Sequence, residues 1–210
     1  MDAKPNPFVV IIHGAVLRAS TRRWMNLLKD YLLRCGIPNV RLFFWSGRAN
    51  LNAIDEAGDN LSKELVNWFL TENAKTGQSL RVFAKSSGGL VFRSALRHLD
   101  NSSVHLPIDV LLQVAVPNPV VTESTICSVK KIENLYSSSD WLLRFFLTVG
   151  PYKGYKQTLA KVNRPESCNY IHNIEIPAVG HSGFNWNTLL RSGRWAGKNL
   201  YEIYYEILSE

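Results

Sequence analysis

Ser86, Asp140 and His181 are the residues whose types and spacing could do chemistry, and that chemistry would be acyl transfer. A serine hydroxyl is a weak nucleophile by itself. It needs an imidazole to take its proton and a buried carboxylate to hold the imidazole in one tautomer. Ser86 sits in the stretch Leu80-Arg81-Val82-Phe83-Ala84-Lys85-Ser86-Ser87-Gly88-Gly89-Leu90-Val91. The stretch begins as an apolar strand, passes through small residues, and resumes at helical spacing with Leu90, Val91, Ala95, Leu96 and Leu99 on one side. A strand that turns so sharply into a helix needs small side chains two positions before and two after the turn residue. Ala84 and Gly88 supply them around Ser86. This is the pattern of the G-x-S-x-G turn, with Ala84 in place of the first glycine. A register one residue later, around Ser87, would put Lys85 in the tight position. Ser86 is therefore the expected nucleophile rather than an ordinary helix-capping serine.

The elements that must position these groups alternate strand with helix. Phe8-Val9-Val10-Ile11-Ile12 is a continuous apolar, β-branched run, as expected of a parallel strand covered on both faces. A helix capped by Ser20 or Thr21 follows to about Cys35, with Trp24, Leu27, Leu28, Tyr31 and Leu32 as its apolar set and Gly36 before Pro38 as its stop. Val40 to Trp45 is the next strand, and a second helix runs from about Ile54 to Glu72, with Gly77 beyond its end. After the Ser86 strand and helix come strands at Asp109 to Val116, Lys131 to Tyr136 and Tyr170 to Ile176, then a closing helix with Leu200, Tyr204, Ile207 and Leu208. Pro119 to Val129 fits either a short helix or a loop, and residues 150–168 read as a long excursion. Such alternation predicts an α/β fold with a mostly parallel central sheet and helices on both faces. At 210 residues, one domain over 1–210 is expected.

In an open parallel sheet the chemistry lies beyond the carboxyl ends of the strands. His13-Gly14-Ala15, Ser86, Asp140 and His181 all fall there. The oxyanion formed on attack needs backbone N–H donors, and the amides of Ser87 and Ala15 are the natural pair. His13 is expected to be a structural turn residue. Asp140 could also cap the helix that starts at Trp141. Asp109 is the fallback acid, but it precedes its strand and so belongs at the wrong edge of the sheet. His98, His105 and His172 have no partner pattern and are expected at the surface. Lys85 reads equally as a solvated side chain or as a substrate-side charge. Trp141-Leu142-Leu143-Arg144-Phe145-Phe146-Leu147 is apolar nearly all round, so a buried helix is the default. The sharper reading puts Trp141 and Phe145 along an acyl pocket. Were part of this helix exposed, it would offer a lipid-docking surface beside Lys153, Lys156, Lys161 and Arg164.

Ile11-Ile12-His13-Gly14 and Ser86-Ser87-Gly88-Gly89-Leu90-Val91 resemble the small lipase and esterase branch of the α/β-hydrolases. Phe44-Trp45-Ser46-Gly47 is similar to segments of lipase-like and deacylase-like relatives. The chain order Ser86, Asp140, His181 is also that of nucleophile, acid and base in this fold. The resemblance implies an α/β-hydrolase fold and a Ser86–His181–Asp140 triad. It further implies hydrolysis of a small-molecule or lipid acyl ester without metal or cofactor. Two departures stand out: Lys85 occupies a position that is commonly His in this branch, and Ala84 replaces Gly. The same parts would serve a thioesterase, amidase or acyltransferase. A rival from another class is a non-catalytic ligand-binding homologue of the fold, against which the complete triad argues.

Composition narrows the rest. The net charge of +7 reads as a basic surface with Lys and Arg spread along the chain, and no nucleic-acid module appears. Peripheral membrane contact is the partner reading that the charge leaves open. Cys35, Cys127 and Cys168 are scattered and odd in number, against a disulfide framework or a zinc site. No apolar run approaches the ~20 residues of a membrane span. The leading Met-Asp-Ala-Lys-Pro-Asn-Pro-Phe lacks the apolar core of a signal peptide, so a cytoplasmic location is expected.

Overall fold

The structure is a computed structural model that describes residues 7–15, 19–73, 79–118, 128–158 and 170–210. The first strand, β1 (Phe8–Ile12), has five apolar residues that are all fully buried. Side chains of a strand alternate between its faces. Phe8, Val10 and Ile12 accordingly join one apolar cluster while Val9 and Ile11 join the other. Both faces are covered by helices, which is why the strand reads as a continuous apolar run.

The other strands are β2 (Asn39–Phe43), β3 (Leu80–Lys85), β4 (Ile108–Val114), β5 (Val129–Tyr136) and β6 (Tyr170–Glu175). They form one six-stranded sheet in the order β2-β1-β3-β4-β5-β6. Every neighbouring pair is parallel, so all the carboxyl ends point to the same rim.

Helices α1 (Ala19–Arg34) and α5 (Leu200–Ser209) pack on one face, through Trp24, Met25, Leu28, Ile203 and Tyr204. Helices α2 (Leu51–Asn73) and α3 (Gly88–Asn101) cover the other, through Leu61, Leu65, Val91 and Phe92. On the first face Phe83 of β3 meets Tyr204 edge-on at 5.0 Å between ring centroids, and neither is exposed. Removing such a ring typically costs about 3–5 kcal/mol.

Three expectations need correction. Helix α1 begins at Ala19, so Ser20 and Thr21 lie in its first turn rather than capping it. Its stop is as expected: Ile37 N–H donates to the Leu32 carbonyl and Gly36 N–H to that of Leu33, with Gly36 at φ +93°. Strand β2 ends at Phe43, which leaves Phe44 and Trp45 in the loop beyond it. Helix α4 (Trp141–Thr148) is not buried: Leu143 alone of its residues is, while Trp141 is 72% and Phe145 54% exposed. Phe146 and Leu147 pack half-buried against the core, while the opposite side of the helix meets water.

Among the described residues no helix is long and apolar enough to cross a membrane. Cys35 is a free thiol. The readings made for Gly77, residues 119–127, Cys127, Lys161, Arg164 and Cys168 lie outside the described residues.

Candidate active site

Ser86 comes directly after β3, at the carboxyl rim, with φ +52°. That left-handed conformation costs a non-glycine residue about 1–3 kcal/mol and persists only where its surroundings enforce it. The enforcement is visible. Ser86 N–H donates to the Val114 carbonyl at 2.9 Å, and the Ser86 carbonyl accepts from Gly89 N–H at 3.0 Å. The end of β1 then closes against the turn. A Cβ on Gly14 would stand 2.6 Å from Ser86 Cβ and 3.2 Å from its Oγ. One on Gly88 would stand 2.6 Å from the His13 carbonyl oxygen. Only glycines let the two segments approach so closely. Ser87 is the N-cap residue of α3 in helical conformation and is fully buried, whereas Ser86 lines a cleft.

The cleft has a volume of about 430 Å3 and is walled by the ends of several elements. Gly14 and Ala15 come from beyond β1, Ser20, Thr21 and Trp24 from α1, Trp141 and Leu142 from α4, and His181 and Asn185 from the segment after β6. Lys85 and Trp141, both expected near substrate, line it. Phe145 is not among the lining residues; it lies one turn further along α4 and faces water.

Asp140 and His181, 41 residues apart, meet at this rim: His181 Nδ1 is 2.8 Å from Asp140 Oδ2. The other carboxylate oxygen, Oδ1, accepts from Leu143 N–H at 2.9 Å and so caps α4. Capping and holding the imidazole are therefore done by one side chain, which is fully buried. A carboxylate only accepts hydrogen bonds, so Nδ1 carries the proton and Nε2 is left as a free base. Burial pushes the His181 pKa down, the nearby Lys85 ammonium lowers it further, and the bond to Asp140 opposes both. The fallback acid Asp109 lies at the other edge, the second residue of β4, and is ion-paired with Lys130 at 2.6 Å.

His13 has a different role. Trp45 backbone N–H donates to its Nε2 at 3.1 Å, so Nδ1 carries the proton and donates to the Gly14 carbonyl at 2.6 Å. Trp45 Nε1–H returns a bond of 2.9 Å to the His13 carbonyl, and the two rings stack at 5.7 Å. Burial depresses the His13 pKa to about 4, which keeps the ring neutral. The pair clamps the loop that carries Gly14 and Ala15. Nothing local in the sequence signals this, because the partners lie 32 residues apart.

Lys85 is the larger departure from expectation. It is 5% exposed, which overturns the solvated reading. Alternation along β3 puts Arg81, Phe83 and Lys85 on the α1/α5 face. Arg81 Nη1 donates there to the Leu208 carbonyl. Burial pulls the Lys85 pKa down to about 8, opposed by the charge of Asp140. His98 and His172, expected without partners, each face a carboxylate: Asp55 at 3.3 Å and Glu133 at 3.1 Å.

No family model and no curated protein matches the chain. Solved structures do. A protein of Lactobacillus plantarum described as a cell surface hydrolase aligns with a TM-score of 0.51 and 14% identity, over 85% of this chain and 84% of that one. A structure from Bacillus cereus of an uncharacterized protein aligns with a TM-score of 0.50 and 14% identity, over 86% of this chain and 56% of that one. Phospholipase PlaB from Legionella pneumophila shares a smaller part, 53% of this chain and 25% of its own, at a TM-score of 0.35 and 17% identity. At such identities what is shared is the architecture. Among the described residues the chain has an α/β-hydrolase-like fold, one sheet of six parallel strands with helices packed on it.

Proposed function

We propose that this chain is a serine hydrolase that cleaves carboxylic esters through Ser86, His181 and Asp140. The observation that carries the reading is the 2.8 Å contact between His181 and Asp140 in a cleft that Ser86 also lines. Ser86 Oγ attacks the ester carbonyl. His181 Nε2 takes the hydroxyl proton and later gives it to the leaving oxygen, and Asp140 keeps the other imidazole nitrogen protonated. The amides of Ala15 and Ser87 receive the developing oxyanion. Ser87 N–H belongs to the first turn of α3, where the helix itself makes no use of it. The acyl-enzyme that results is released by water through the same imidazole. The description of the Lactobacillus plantarum protein as a hydrolase agrees with this reading.

The test is turnover of short acyl esters by wild type and by Ser86→Ala. The substitution should lower kcat by roughly 10³–10⁶-fold while leaving the fold intact. A variant with wild-type turnover would eliminate the assignment. Thioester and amide analogues of the same acyl group, run in parallel, separate esterase from thioesterase and amidase chemistry.

A further inference from the structure

Lys85 stands one residue before the proposed nucleophile, lines the same cleft and is 95% buried. Charged side chains are almost never so buried unless they are paired, because stripping water from an ammonium costs several kcal/mol. Yet among the described residues the Lys85 ammonium has no hydrogen-bond or ion-pair partner. Asp140 acts on it only through space, with one carboxylate oxygen already bonded to Leu143 N–H and the other to His181. The ammonium has three donors to satisfy, and the residue that carries it lines the cleft.

The rest of the lining favours the same kind of guest. None of the described lining residues is Asp or Glu. Ser20 and Thr21, in the first turn of the 16-residue α1, share the wall, and that turn holds no acidic residue. The positive end of the α1 helix dipole therefore borders the cleft that Lys85 also lines.

Building on the proposed esterase reading, we infer that the cleft contains an anion subsite centred on Lys85, and that the natural substrate is an acyl ester bearing a carboxylate or phosphate group. That group would supply the partner the ammonium lacks, in a site from which substrate binding displaces water. A charge-assisted bond of this kind is worth roughly 10- to 100-fold in kcat/KM.

The test compares three 4-nitrophenyl or aryl esters on the full chain: neutral 4-nitrophenyl butyrate, 4-nitrophenyl hemisuccinate with its anion on the acyl half, and 4-(butyryloxy)benzoate with its anion on the leaving half. The wild type should prefer at least one anionic ester, and the arm preferred tells which half carries the charge. Lys85→Met should lower the anionic-to-neutral ratio of kcat/KM by roughly 10- to 100-fold, and Lys85→Arg should restore most of it. The ratio cancels any effect of the substitution on His181, which is common to all three esters. Should Lys85→Met fail to fold, inorganic phosphate and succinate must compete with the neutral ester on the wild type.

A ratio near one in the wild type, a ratio unmoved by Lys85→Met, or no competition by either anion would overturn the subsite while the esterase reading stands. Absence of both neutral-ester turnover and Ser86 labelling by a neutral fluorophosphonate would overturn the esterase reading on which it rests.

Discussion

Asp140→Asn separates two jobs that one carboxylate performs. Oδ1 caps α4 through Leu143 N–H, and an asparagine oxygen can keep that bond. Oδ2 faces His181 Nδ1 at 2.8 Å, and there asparagine presents an N–H that donates instead of accepting. His181 must then leave Nδ1 bare and carry its proton on Nε2, where it can no longer accept one from Ser86. The expected loss in kcat is roughly 10³–10⁴-fold, or about 4–5.5 kcal/mol at 1.36 kcal/mol per decade. Stability should move little, because the cap survives. Asp140→Ala removes the cap as well and should cost an additional ~1 kcal/mol in unfolding free energy. Both quantities are measurable on the same preparations, by ester hydrolysis at saturating substrate and by urea denaturation. Wild-type kcat in Asp140→Asn, or a loss no larger than that caused by the change in stability, would refute the reasoning.

Other consequences follow from the same geometry. Gly14→Ala puts a methyl 2.6 Å from Ser86 Cβ and should cost roughly 10²-fold in kcat by displacing the proposed nucleophile; unchanged kinetics would show that the turn yields freely. His181 titrates below its ordinary value of 6.5, so the acid limb of kcat/KM should lie below pH 6.5, and Lys85→Met, by removing a neighbouring positive charge, should move that limb to higher pH. His13 is depressed to about 4 in the folded protein against 6.5 in the unfolded chain. The unfolded state therefore binds the proton first, and stability present above pH 6.5 should fall as pH drops toward 4, by as much as about 3 kcal/mol. Urea midpoints between pH 7 and 4, compared with those of His13→Gln, would check this; parallel curves would contradict it.

The parts of this molecule that were legible from sequence are those whose signal is local. The run Phe8 to Ile12 is apolar because both faces of β1 are covered, and the small residues around Ser86 are small because β1 closes on that turn. Placement of Asp140 and His181 at one rim followed from parallel strands, since residues just past their ends must share an edge. What escaped depends on distant neighbours. Trp141 to Leu147 is apolar on every side, so its periodicity could not reveal that α4 packs mainly through Leu143 and leaves Trp141 and Phe145 in water. Lys85 looked ordinary because lysine is usually a surface residue; its burial comes from the elements packed around the last position of β3. The His13–Trp45 clamp joins two loops with no shared motif.

The most direct test of the central claim is to treat the protein with a neutral fluorophosphonate and map the modified peptide by mass spectrometry. A single adduct on Ser86, absent from Ser86→Ala and suppressed in His181→Ala, is the predicted result. An adduct on Ser87, or no adduct under conditions where the protein is folded, would contradict it.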